Sequence, residues 1–191
     1  MITVLVIDES RSRAGEICAG LALAGYQVAA ILAGSQNLTA EVERLQPDVI
    51  LIDTDSPSRD TLENLAAMNK DMPRPVVVFT QEEAPDTMRD ALKAGVSAYV
   101  VAGLDPKRIK TIVDVARVRF EDTQALRREL DEISKKLSDR KLVDKAKGVL
   151  MKARGLDEDA AYHAMRKLAM ERGQTMAKVA RDVIDMARVL L

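Results

Sequence analysis

The chain has 191 residues, 47% apolar and 31% charged, and a single cysteine, which accommodates one large or two small domains and excludes an internal disulfide or a Cys-built metal cluster. No apolar run reaches the roughly eighteen residues a bilayer span needs, and Met1 leads into a strand-like run and not a secretory leader, so a cytoplasmic protein with no membrane partner is expected. Net charge is −1, yet residues 122–191 carry 16 Lys/Arg against 12 Asp/Glu while residues 1–121 carry 13 against 18, an acidic half joined to a basic one with separate roles.

Short apolar runs alternate with helical stretches through the acidic half. Strands are expected at Thr3–Ile7, Val28–Leu32, Asp48–Asp53, Val76–Thr80 and Ala98–Val101, and helices at Ala14–Ala24, Asn37–Leu45, Arg59–Lys70 and Asp86–Ala94. Cys18 falls in the first of these helices and reads as a small buried residue. Runs such as DVILID lack polar alternation, as strands covered on both faces do. Five such units in series predict a parallel, doubly wound α/β sheet with right-handed crossovers.

From about Lys107 to Lys147 there is no Gly or Pro, which predicts one long helix. Apolar residues follow a 3,4 spacing that is clearest at Leu126, Leu130, Ile133 and Leu137, the seam of a dimeric coiled coil. The other reading is a helix lying back on the first domain, its stripe ordinary core. Three helical segments end the chain, punctuated by Gly155 and Gly173 and opened by the N-cap candidates Asp157 and Thr175. Apolar spacing predicts core faces at Ala161, Met165, Leu168 and Ala169, and at Val179, Val183, Met186 and Leu190. The domains expected are residues 1–121, a coiled-coil linker at 122–138 and a three-helix bundle at 139–191.

Ligands of open α/β sheets sit beyond the carboxyl ends of the strands. Asp8 and Glu9 end the first strand, Asp53 the third and Thr80 the fourth, and in a sheet of order 2-1-3-4-5 the first and third are neighbours. An acidic pocket of Asp8, Glu9, Asp53 and Thr80 is expected there, and Asp8, Glu9 and Asp53 together would suit a hard cation such as Mg²⁺. No cofactor is otherwise required, and no catalytic constellation is evident, so no enzymatic activity is expected.

These residues resemble the response-regulator receiver family over residues 1 to about 120, which implies the flavodoxin-like (βα)5 fold. The resemblance matches Asp8 and Glu9 to the family's acidic pair, Asp53 to its phospho-acceptor, Pro57 to the proline that follows, Thr80 to its hydroxyl residue and Tyr99 to its switch aromatic. The family's lysine after the fifth strand falls on Ala102-Gly103. Without that fixed charge beside a phosphoryl group, a pseudo-receiver serving as a docking platform is expected. A regulator controlled by phosphorylation of Asp53 stands as the alternative.

Arg140–Arg154, RKLVDKAKGVLMKAR, holds six Lys/Arg and one acid, with Leu142, Val143, Ala146, Val149 and Leu150 sharing a face. A charge run of this kind is either a solvated surface or a phosphate-binding one. Residues from about 135 onward resemble the ANTAR domain of transcription antiterminators, through AKGVLM at 146–151, AAYHAMR at 160–166, Ala169-Met170 and Val179-Ala180. The resemblance implies leader RNA with two hairpins as partner and terminator prevention as function. Lys145, Lys147, Arg154, Tyr162, Arg166 and Lys167 are the candidate RNA contacts. Tyr162 and Arg166 share a helical face suited to an unpaired base and its phosphate, unless Tyr162 is half-buried core. Lone His163 reads as a surface or packing residue. Gly148 in mid-helix suggests the close approach of another backbone or a ligand.

Over the whole length the chain is most similar to the NasT type of nitrate and nitrite assimilation regulators, on LIDTDSPSRDTLE and GVSAYVVAGL. That likeness implies sequestration by a nitrate-sensing NasS-type protein and a homodimer through the coiled coil. An amidase-operon regulator is the alternative within the family. A DNA-binding regulator is disfavoured, because no helix-turn-helix is recognisable.

Overall fold

The computed structural model describes residues 1–9, 13–101 and 107–190, with the side chains of Val189 and Leu190 left aside. The chain divides into two units, Met1–Gln124 and Ala125–Leu191. The first is built on five parallel strands, β1 (Thr3–Asp8), β2 (Gln27–Leu32), β3 (Val49–Asp53), β4 (Val76–Thr80) and β5 (Ala98–Val101), in the order β2-β1-β3-β4-β5. Between them run α1 (Ala14–Leu23), α2 (Leu38–Leu45), α3 (Arg59–Asp71) and α4 (Pro85–Lys93), and α5 (Ile109–Arg154) follows β5. This is the flavodoxin-like arrangement, with each strand within one residue of its expected place.

Helices on both faces explain why β3 and β4 are buried from end to end. On one face α1 and the first turns of α5, through Ile17, Leu21, Ile109, Val113 and Ala116, cover Val4, Val6, Leu51 and Phe79. On the other, α2, α3 and α4 cover Leu5, Ile7, Ile50, Ile52 and Val78. Each fully buried Ile, Leu or Val contributes roughly 1.5–3 kcal/mol over an exposed one. Cys18 is half-buried, at the margin of this core and not within it. The turn from α4 into β5 depends on Gly95, whose φ of +100° suits glycine and whose added Cβ would collide with the Asn69 amide. That amide donates to the Ala94 carbonyl at 2.9 Å, which holds α3 against the end of α4.

The second unit comprises the C-terminal part of α5 with α6 (Glu158–Arg172) and α7 (Met176–Leu190). Both expected N-caps form: Asp157 accepts from the Ala160 amide at 2.7 Å and Thr175 from the Lys178 amide at 3.3 Å. Gly173 ends α6 with φ +59°, as a glycine C-cap does. The core joins Ala146 of α5, Met165 and Ala169 of α6, and Val179, Ala180 and Ile184 of α7, with Leu142, Val143, Leu150, Leu168 and Val183 packed against it. The expected α7 face was therefore rotated. Ala180 and Ile184 are buried whereas Met186 is half exposed, because the side that meets α5 and α6 centres between Val183 and Ala180 and leaves Met186 at its edge. The Leu190 side chain lies outside the described residues.

The 3,4 stripe of α5 divides between the two readings it allowed. Ile109 and Ala116 are ordinary core of the first unit. Leu126, Leu130, Ile133 and Leu137 are instead 54–65% exposed.

Tyr26, buried in the turn before β2, donates its hydroxyl to Asp114 of α5 at 2.8 Å, and Asp114 also accepts from Lys110 at 2.8 Å. Burial first, then the hydrogen bond and charge of Asp114, push the Tyr26 pKa up to about 12. Between its ordinary 10.0 and about 12 the unfolded chain loses that proton while the folded chain keeps it, so stability falls as pH rises through this window. Tyr26→Phe should shrink the alkaline loss, read as denaturation midpoints across that range; an equal loss in both proteins would refute the assignment.

Candidate functional site

In the first unit the register pairs Asp8 with Asp53 across β1 and β3, and both carboxylates are buried. Glu9 does not join them. Successive residues of an extended chain point to opposite sides, and Glu9 accepts the Thr61 hydroxyl of α3 at 2.7 Å. Thr61 is positioned by the Ser58 N-cap, whose oxygen accepts the Thr61 amide at 3.1 Å. The expected convergence of three carboxylates is thus a pair with Glu9 turned away. Among the described residues no group of three or more His, Cys, Asp or Glu is placed to hold a metal ion.

Among the described residues, a positive charge beside Asp53 comes from a residue that sequence reading passed over. Arg13 Nε lies 2.9 Å from Asp53 Oδ2, and its second amino nitrogen lies 3.6 Å from Asp55. Arg13 occupies the N-cap position of α1 and makes no side-chain cap bond. A cation there faces the positive end of the helix dipole, so its place is set by the carboxylates. That mismatch, a basic residue opening a helix five positions after Asp8, was the available signal.

Thr80 is buried at the end of β4. Its hydroxyl donates to the Asp55 carbonyl at 2.8 Å and accepts the Glu82 amide at 3.1 Å. Tyr99 is turned inward, its hydroxyl donating to the Glu82 carbonyl at 3.1 Å while its ring packs on the core. Burial raises the Tyr99 pKa above its ordinary value. Pro57 is buried, four residues after Asp53. Ala102 and Gly103, where the family's lysine would stand, lie outside the described residues.

In the second unit the six candidate cationic and aromatic residues separate into two groups. Lys147 is engaged within the fold. Its ammonium lies 2.8 Å from Asp144 one turn earlier and 2.7 Å from Glu158 at the start of α6, and its side chain is 15% exposed. Asp144 first and Glu158 next hold its pKa above the ordinary lysine value, and Lys147 in turn holds Asp144 below the usual carboxylate range. Lys147 thereby clasps α6 to α5.

The remaining five face solvent. Lys145 and Arg154 are exposed on α5, and Tyr162, Arg166 and Lys167 are exposed on α6. Tyr162 is 41% exposed and lies outside the helical core, which removes the reading of it as core. Its ring meets exposed His163 edge-on, with centroids 6.1 Å apart. His163, Arg166, Lys167, Met170 and Glu171 line a shallow depression on the same helix, with Met170 75% exposed. An exposed aromatic ring with Arg166 one turn on, and Lys167 beside it, can stack a base and neutralise its phosphate. The close approach expected at Gly148 is not made by the chain, since a Cβ there would meet nothing within 4 Å.

Two substitutions separate these roles. Gly148→Ala should stabilise the chain by about 1 kcal/mol in chemical denaturation, because mid-helix glycine is costly and the space is open. Lys147→Met, which keeps the stem and removes the charge, should lower the unfolding midpoint by releasing α6. Wild-type stability in Lys147→Met would deny the clasp.

Comparison with known proteins agrees with this division. Residues 4–114 match the response regulator receiver domain and residues 131–184 match the ANTAR domain. The transcriptional regulatory protein PdtaR of Mycobacterium tuberculosis is 30% identical over 161 residues, covering 84% of this chain and 78% of that protein. A nitrate regulatory protein of Klebsiella oxytoca is 36% identical over 75 residues, 39% of this chain and 19% of that one. Among solved structures, a CheY-like receiver domain protein of Methanospirillum hungatei superposes with a TM-score of 0.56 at 20% identity, over 64% of this chain and 98% of its own. The pairing of a β2-β1-β3-β4-β5 receiver unit with an ANTAR unit places this chain among the ANTAR-domain response regulators.

Proposed function

We propose that the chain is an RNA-binding transcription antiterminator, which holds paired stem-loops of a nascent leader RNA and so keeps the terminator hairpin from forming. The observation that carries the reading is the exposed face of α6, where Tyr162, Arg166 and Lys167 stand together within the ANTAR match. Lys145 and Arg154 of α5 extend the cationic surface. Lys147 contributes by holding α5 and α6 together. The mechanism is competition between RNA structures, in which protein bound to the hairpins biases the leader against its terminator; no bond is made or broken.

A leader with two hairpins fits a dimer that offers one helical unit to each. The exposed Leu126, Leu130, Ile133 and Leu137 seam supports association with a second copy through a coiled coil. No helix among the described residues is long and apolar enough to cross a membrane, in keeping with action in the cytoplasm. Nitrate and nitrite assimilation genes are the proposed targets, with a NasS-type sensor as regulatory partner. Support for these is the partial likeness to the Klebsiella protein together with the sequence resemblance to the NasT type. Control by phosphorylation of Asp53 is the less favoured alternative, since Ala102 stands where the receiver family has its lysine.

The test is a gel shift of the full chain with its own operon's leader RNA at several salt concentrations. Arg166→Ala or Tyr162→Ala should weaken binding by about 1–3 kcal/mol where a base is contacted, and Lys145→Ala should flatten the salt dependence by about one unit where a phosphate is. Leu130→Lys should abolish dimers and favour single-hairpin complexes. Unchanged affinity in both Arg166→Ala and Tyr162→Ala would overturn the interface.

A further inference from the structure

The pocket at the carboxyl ends of β1 and β3 concentrates negative charge in a buried place. Asp53 has no exposed side-chain surface and Asp8 is 2% exposed beside it. A buried carboxylate must be compensated by charge and hydrogen bonds. In a metal-dependent pocket a divalent cation supplies that charge, held by several carboxylates. Here the requirements for such an ion are withdrawn one by one. Glu9 is committed to Thr61 on α3. Arg13, itself only 23% exposed, places a guanidinium nitrogen 2.9 Å from Asp53.

We propose that Arg13 is a built-in counter-ion of Asp53 that competes with a divalent cation at Oδ2, so that Mg²⁺ binding to the receiver unit is weakened by the chain's own guanidinium. A metal ion cannot occupy the Oδ2 side of Asp53 while a cation lies within hydrogen-bonding distance of the same oxygen. A cation that used Asp53 Oδ2 and Glu9 together would have to displace Arg13 and draw Glu9 off Thr61. Two independent contacts therefore oppose such an ion, one on each carboxylate. The Arg13 contact also ties the start of α1 to the end of β3, so the same ion pair that opposes the metal braces the unit. This inference concerns the first unit alone and stands or falls separately from RNA binding.

The experiment is calorimetric titration of the full chain with MgCl₂, for wild type, Arg13→Gln and the double variant Arg13→Gln/Asp53→Asn. Arg13→Gln should bind Mg²⁺ at least about tenfold more tightly than wild type, since one cation no longer competes with another at a buried oxygen. The double variant should lose that gain. The unfolding midpoint of Arg13→Gln should rise with added Mg²⁺ while that of wild type stays put. Equal Mg²⁺ affinity in wild type and Arg13→Gln would overturn the proposal. A second measurement serves if Arg13→Gln does not fold: in the nearly isosteric Asp53→Asn, the Arg13 Nε–H resonance should lose the shift and exchange protection it has in wild type. An Arg13 resonance identical in the two proteins would likewise overturn it.

Discussion

Both cores of this protein draw on one helix. Ile109, Val113 and Ala116 of α5 belong to the sheet's core, and Leu142, Val143, Ala146 and Leu150 of the same helix belong to the three-helix core. Between them the helix carries apolar side chains at a coiled-coil spacing that lie more than half exposed. A helix exposed on all sides gains little from propensity alone, and most helical stability comes from packing of an apolar face. Each end of α5 is thus held by its own core, and the Leu126–Leu137 stripe is packed against neither.

Electrostatic compensation shapes both units in similar ways. In the receiver unit a buried aspartate is met by a guanidinium at the start of α1, a poor place for a cation by the helix dipole alone. In the ANTAR unit a lysine that the basic run marks as a surface charge is met by Asp144 and Glu158. Each case converts a residue that looks available for an outside ligand into a brace between elements. What remains available is defined by subtraction: Lys145, Arg154, Tyr162, Arg166 and Lys167 are the members of the candidate set that still face solvent.

The receiver pocket keeps most of its family's residues but not the lysine. Asp8, Glu9, Asp53 and Thr80 lie at the carboxyl ends of their strands and the Tyr99 hydroxyl reaches the same end from β5, with Glu9, Thr80 and Tyr99 bonded to neighbouring backbone or to α3.

The sequence by itself determined the strands and helices of a parallel sheet, the helix caps at Asp157, Thr175 and Gly173, and the division into an acidic and a basic half, while the strand order was implied by the resemblance to the receiver family. These follow from local rules: apolar spacing, glycine at positive φ and side chains that satisfy free amides at helix ends. Only the tertiary structure decided that Arg13 covers Asp53, that Glu9 turns to Thr61, that Lys147 reaches Glu158, and that α7 buries Ala180 and Ile184 in place of Met186. Each of these depends on which element comes to lie beside which, and a charge or methyl group read in sequence carries no record of the partner that folding brings to it from ten or fifty residues away.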